Sequence, residues 1–204
     1  MSGAVATAFR RRLVVFVKEP VAGRVKTRLG RELGMVSAAW WFRHRSRRLI
    51  RDLQGDPRWE TWVAVAPDRA GLESRFWPRG VRRLAQGPGD LGARMARTLR
   101  SLPPGPAAIV GADIPGVTRA RVWAAFEALG RADAVFGPAE DGGYWLVGLR
   151  RSPGAAPAGF LDGVRWSSAH ALADSVESLR GARVALVERL SDVDVAADLP
   201  GAIP

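Results

Sequence analysis

The chain has 204 residues, 47% of them apolar, eight tryptophans, and a formal net charge of +11 from 31 Lys plus Arg against 20 Asp plus Glu. That length and apolar content suit one domain with a real core and argue against disorder, and no apolar run reaches the about 18 residues of a membrane span. With no cysteine and only His44 and His170, thiolate metal sites and Cys nucleophiles are excluded and a histidine cluster has little room, so acid-base chemistry falls to carboxylates.

Residues 1–11 place their charges after a short, weakly apolar segment, the reverse of a secretory leader, and read as a frayed lead-in. A single domain over 12–199 and a cytoplasmic location are the expectations. Leu13 to Lys18 is apolar with little alternation, which suits a strand buried on both faces of a parallel sheet. It runs into a loop carrying Pro20, Gly23, Arg24, Lys26, Thr27 and Arg28. Both lysines of the chain, Lys18 and Lys26, fall in this stretch, and every other cation is arginine. Lysine is a compact charge on a flexible stem that can reach one phosphate oxygen, whereas arginine prefers a two-pronged partner. The stretch reads as a strand delivering a phosphate-binding loop, with Lys26 facing the ligand; a solvated loop lysine is the alternative.

Ser37 is expected to cap a helix to about Leu53, with Trp40, Trp41, His44, Arg48 and Leu49 near its core-facing side. Arg43, Arg47 and Arg51 share a face that is either a solvated surface or a polyanion-binding stripe. Strands follow at Trp62–Ala66 and Val81–Ala85, separated by a short helix to about Phe76. Gln86 then opens a glycine-rich turn with Gly89, Asp90 and Gly92 that leads into a helix to about Leu102. Such a turn lets backbone approach a ligand, and the new helix offers free N–H groups there. A plain turn with Asp90 as helix cap is the competing reading.

The strand Ala107–Gly111 ends in Ala112-Asp113-Ile114-Pro115. An acid at the carboxyl end of a central parallel strand lies where open α/β sheets bind ligands. Asp113 is therefore the expected ligand for Mg²⁺ or Mn²⁺, against the simpler role of capping a helix that starts near Thr118. After the strand Ala134–Gly137, the turn at Asp141, Gly142 and Gly143 returns as a strand over Trp145–Leu149 that pairs antiparallel. Tyr144, the only tyrosine, suits a pocket wall for a base or sugar. A Pro/Gly/Ala connector (151–159), a helix from Ser167 or Ser168 to about Leu179 and a strand over Arg183–Val187 follow. Asp192, Asp194 and Asp198 either cap a final turn or reach the metal.

Strands alternating with helices predict a three-layer α/β/α sandwich with a mostly parallel sheet and its site along one sheet edge. Cation, backbone cradle and carboxylates would gather there, a set suited to a metal-bound diphosphate. Neither GxxxxGK[ST] nor GxGxxG is present, which removes the P-loop ATPase and dehydrogenase readings.

Phe16 to Leu29, Gln86 with Gly89 to Met95, Gly111 to Pro115 and Gly137 to Tyr144, together with Trp166-Ser167 and Leu190 to Asp194, resemble the DUF2064 family of glycosyltransferase-like proteins over about residues 12 to 199. The resemblance implies a GT-A type nucleotide-diphospho-sugar transferase fold, related to 2-phospholactate and molybdenum-cofactor guanylyltransferases. It also implies that Lys26 and Arg28 contact nucleotide phosphates, that Gln86 reads the base and that Asp113 binds metal. Ala112 and Ile114 replace the small polar residues usual in the family, giving a drier turn. The partners implied are a nucleotide or nucleotide-sugar donor and a small-molecule acceptor, with no specific nucleic acid; a homodimer face of exposed tryptophans stays open. In glycosyl transfer Asp141 would deprotonate or orient the acceptor, and in nucleotidyl transfer Lys26 would shield departing pyrophosphate. A third reading is a non-enzymatic module that binds polyanions on the arginine helix.

Overall fold

The computed structural model describes residues 10–152 and 157–191. Asp192, Asp194 and Asp198, the lead-in up to residue 9 and connector residues 153–156 lie outside the described residues. In chain order the elements are β1 (Arg12–Lys18), α1 (Thr27–Leu33), α2 (Met35–Gln54), β2 (Glu60–Ala66), α3 (Asp68–Glu73), β3 (Arg82–Ala85), α4 (Leu91–Ser101), β4 (Gly105–Gly111), α5 (Arg119–Ala128), β5 (Ala134–Pro138), β6 (Tyr144–Ser152), α6 (Ala171–Glu177) and β7 (Val184–Leu186).

The strands form one seven-stranded sheet in the order β3-β2-β1-β4-β6-β5-β7. β1 pairs parallel with both β2 and β4, with Leu13 opposite Thr61 on one side and Ala108 on the other. β6 runs antiparallel to both of its neighbours, β4 and β5, as the tight turn before it requires. Because successive side chains of a strand point to opposite faces, β1 supplies two cores at once. Leu13, Val15 and Val17 pack with Phe42, Ile50 and Leu53 of α2 and Val122 and Phe126 of α5. Val14 lies on the other face with Met95 and Leu99 of α4 and Ala171 of α6. The sheet is thus covered on both sides, which is why β1 reads as a continuous apolar run. Each such aliphatic side chain removed from water contributes about 1.5 to 3 kcal/mol. Among the described residues no helix is long and apolar enough to cross a membrane.

The phase of α2 differs from expectation. Its buried face is Ala38, Ala39, Phe42, Ser46, Leu49, Ile50 and Leu53, the three-and-four spacing of one helical stripe. Leu49 belongs to it, but Trp40 is 62% exposed and His44 and Arg48 are also exposed. Trp40 and His44, one turn apart, stack on each other with ring centroids 4.0 Å apart. The bulk of tryptophan suggested the core, but the aliphatic stripe decides the rotation of the helix. The start differs too. α2 begins at Met35 after Gly34 at φ 87°, and the basic loop already contains α1. Gly30 lets the two helices meet, since a Cβ there would lie 2.6 Å from Met35 Sδ.

If this phase is right, Phe42→Ala should lower unfolding free energy by about 3 to 5 kcal/mol, while Trp40→Ala should change it by less than about 1 kcal/mol. Urea titrations of the two variants would check the difference, and equal losses would contradict the assigned face.

Candidate functional site

β1 and β4 are neighbours, with Phe16 opposite Gly111, and the sheet is built outward from them in opposite directions. Their carboxyl-end loops therefore leave the sheet side by side and open a crevice at the switch point. This cleft has a volume of about 900 Å³. Lys18, Arg24, Lys26, Thr27 and Arg28 line it from the first loop, Gln86, Gly89 and Asp90 from the loop after β3, Asp113 from the end of β4, and Asp141, Gly143 and Tyr144 from the β5–β6 turn.

At its centre Lys26 Nζ lies 2.8 Å from Asp113 Oδ2, the lysine side chain 8% exposed and the aspartate 36%. Lys26 takes up φ 45°, ψ 49° at the start of α1, a left-handed conformation that costs a residue with a Cβ roughly 1 to 2 kcal/mol. Gly111 makes room for the other end of the pair, since a Cβ on it would sit 3.2 Å from Asp113 Oδ1. The turn beyond Asp113 is gripped from α2, where Arg45 Nη2 donates to Ile114 O at 3.0 Å and to Pro115 O.

Gln86 is buried, and its amide nitrogen donates to Ala64 O at 2.9 Å and Val17 O at 3.3 Å. Both neighbours are acceptors, so chemistry fixes which way the amide points and leaves only its carbonyl oxygen for a ligand. Asp90 fulfils the capping reading, accepting from Ala93 N at 2.8 Å, while also lining the cleft. Asp141 Oδ1 accepts from Gly143 N at 2.9 Å, which stiffens the β5–β6 turn. The ring of Tyr144 borders the cleft, but its hydroxyl lies 3.3 Å from Ser175 Oγ of α6. Burial pushes this phenol up from its ordinary value.

Three predicted glycines are placed away from the cleft lining. Gly23, at φ 76°, is a turn residue of the first loop. A Cβ on Gly92 would meet Leu161 O at 2.6 Å and Trp166 Cζ2 at 2.8 Å. One on Gly142, at φ 84°, would collide with the backbone of Ala169. Gly92 and Gly142 are close-approach positions that let the segment 161–169 dock on α4 and the β5–β6 turn. That segment forms a cleft wall with Trp166, Ser167 and Ser168. The reading of Ser167 or Ser168 as helix cap is corrected: α6 starts at Ala171 after His170, and Ser167 instead sits at φ 58°. Arg94 was also missed. It lines the cleft and donates through Nε to Gly89 O at 2.8 Å; its place one turn after Asp90 was the available signal.

Among the described residues no three His, Cys, Asp or Glu side chains cluster as a metal site. Mg²⁺ commonly uses one or two carboxylates and completes its shell with water and phosphate. Asp113, a partly exposed carboxylate that lines the cleft, would supply one such ligand, in the place that the Lys26 ammonium takes here.

A family model described as "uncharacterized protein conserved in bacteria (DUF2064)" matches residues 49–168. Among solved structures, the chain is similar to the crystal structure of the "putative nucleotide-diphospho-sugar transferase" of Desulfovibrio desulfuricans G20, with 30% identity and a TM-score of 0.81 over 92% of this chain and 83% of that one. No curated protein matches.

Arg165 anchors the 161–169 wall through Asp174, donating from Nε at 2.9 Å, Nη2 at 2.8 Å and its backbone N at 3.0 Å. The side-chain bonds first, then the backbone bond, hold the Asp174 carboxyl well below the usual carboxylate range. A folded-state value below the unfolded one means the anchor is fully present above about pH 4 and lost only as pH falls through the depressed value. Amide-exchange protection over residues 160–170, corrected for intrinsic rates, should therefore stay flat from about pH 8 to about pH 5 and drop in Asp174→Asn. A step near neutral pH would contradict this.

Proposed function

The chain belongs to the DUF2064 family, and on that footing we propose that it is a metal-dependent transferase that moves a glycosyl group from a nucleoside-diphosphate sugar to a small-molecule acceptor. The observation that carries the reading is the Lys26–Asp113 pair, 2.8 Å across the switch point of the sheet. A cation reaching from a basic loop to a strand-end carboxylate is the arrangement a diphosphate with its metal needs on either side. The name of the Desulfovibrio protein supports the same class of donor.

In this reading Lys18, Arg24, Lys26 and Arg28 neutralise the diphosphate. The Gln86 carbonyl oxygen accepts from a base N–H, because its nitrogen is already committed. Asp113 would hold Mg²⁺ or Mn²⁺, whose charge would stabilise the departing nucleoside diphosphate. Lys26 occupies that carboxylate in the meantime and turns to a phosphate oxygen when it is relieved. Asp141, held by its own turn, would take the proton of the acceptor hydroxyl.

A thermal-shift panel of nucleotide sugars and nucleoside triphosphates with Mn²⁺ tests the proposal, since a ligand bound only by the folded state raises the melting temperature. Nucleotide sugars should stabilise more than the matching triphosphates, and Asp113→Asn should abolish the Mn²⁺-dependent part. Lys26→Met should weaken diphosphate binding by about 1.5 to 3 kcal/mol. A preference for the triphosphate would move the reaction to nucleotidyl transfer, and no shift with any nucleotide would overturn the reading.

A further inference from the structure

We infer that Arg45 is a positioning residue for Asp113, an assignment that rests on Asp113 being the metal-binding carboxylate. The chain leaves β4 at Gly111 and does not regain regular structure until α5 starts at Arg119. Between them the turn has one backbone bond of its own among the described contacts, Val117 N to Ile114 O at 3.3 Å. The carbonyls of Ile114, Pro115 and Gly116 accept from guanidinium groups. Arg45 Nη2 donates to Ile114 O at 3.0 Å and to Pro115 O, and Arg121 Nη1 donates to Gly116 O at 2.7 Å. Arg121 is itself fixed by a two-pronged grip on Glu188 at 2.7 and 2.6 Å.

Three successive carbonyls immediately after Asp113 are therefore turned onto arginines from two different helices. Ala112 and Ile114, buried on either side of Asp113, anchor the turn by packing alone, and neither carries a hydroxyl to brace the carboxylate. The polar bracing comes from Arg45. Both bonds leave one nitrogen, Nη2, whose two N–H groups are fixed in the guanidinium plane, whereas the donors of an ammonium rotate freely. Arg45 can reach the turn because the aliphatic stripe of α2 faces the sheet and the arginine projects from beside Phe42 and Leu49. Its Nε is buried without a hydrogen-bond partner, so the polar contacts of the group to the turn are those of Nη2.

Mn²⁺ binding to the full chain, followed by loss of the free-ion electron paramagnetic resonance signal, tests the assignment alongside urea unfolding. Arg45→Met, which keeps the stem and removes the donors, should weaken Mn²⁺ binding about tenfold or more, and Arg45→Lys should recover part of the loss. Arg43→Met, on the exposed side of the same helix, should bind Mn²⁺ like the wild type. A merely structural role would lower the urea midpoint of Arg45→Met and leave Mn²⁺ affinity of the folded protein unchanged, and that result would overturn the assignment. If Arg45→Met does not fold, Arg45→Lys decides alone: weakened Mn²⁺ binding supports the assignment, and affinity equal to wild type would overturn it. Wild-type protein that binds no Mn²⁺ would overturn the metal reading of Asp113 and this assignment with it, an outcome separate from the variant results.

Discussion

Lys26 meets Asp113 at 2.8 Å because β1 and β4, distant in sequence, lie side by side and parallel. Everything at the cleft follows from that adjacency. The loop after β1 brings the cations, the turn after β4 brings the carboxylate, and β6, inserted antiparallel next to β4, returns the Asp141 turn to the same edge. A salt bridge this enclosed is not mainly a source of stability, since desolvating both charges offsets much of their attraction. The pair is made by a Lys26 in the left-handed conformation, and such backbone outliers cluster at ligand clamps and switch regions.

The choice of arginine for nearly every cation also acquires a structural meaning. Arg45 and Arg121 gather the carbonyls of the Asp113 turn, and Arg94 and Arg97 gather those of the glycine turn at Gln86, Pro88 and Gly89. Arg43 and Arg47 lie over the ring of Phe76 at 4.8 and 6.0 Å. Four arginines thus hold two cleft loops by their backbone carbonyls. That use favours guanidinium over ammonium, and both lysines, Lys18 and Lys26, border the cleft.

The strands were legible because a sheet covered on both faces writes its apolar runs without interruption, as at Leu13–Val17 and Ala107–Val110. The cleft loops were legible because acid, glycine and lysine interrupt those runs abruptly. What stayed hidden depended on contacts between distant segments. The rotation of α2 is set by Ile50 and Leu53 against the sheet, which puts Trp41 at the edge of the core and leaves the adjacent Trp40 exposed. Gly92 and Gly142 looked like ligand-facing glycines because local sequence cannot show that the 161–169 segment packs on both. The role of Arg45 was silent, since a carbonyl acceptor leaves no trace in the sequence of its donor, whereas Arg94 offered only its place one turn after Asp90.

The central claim is that Lys26 holds the place of a metal on Asp113 in a nucleotide-diphosphate site. Anomalous diffraction from crystals soaked with Mn²⁺ and a nucleoside diphosphate tests it most directly. The account predicts a Mn²⁺ peak bonded to the Asp113 carboxylate, with Lys26 Nζ moved off Asp113 and onto a phosphate oxygen. A bound diphosphate with the Lys26–Asp113 pair intact, or Mn²⁺ held elsewhere, would contradict it.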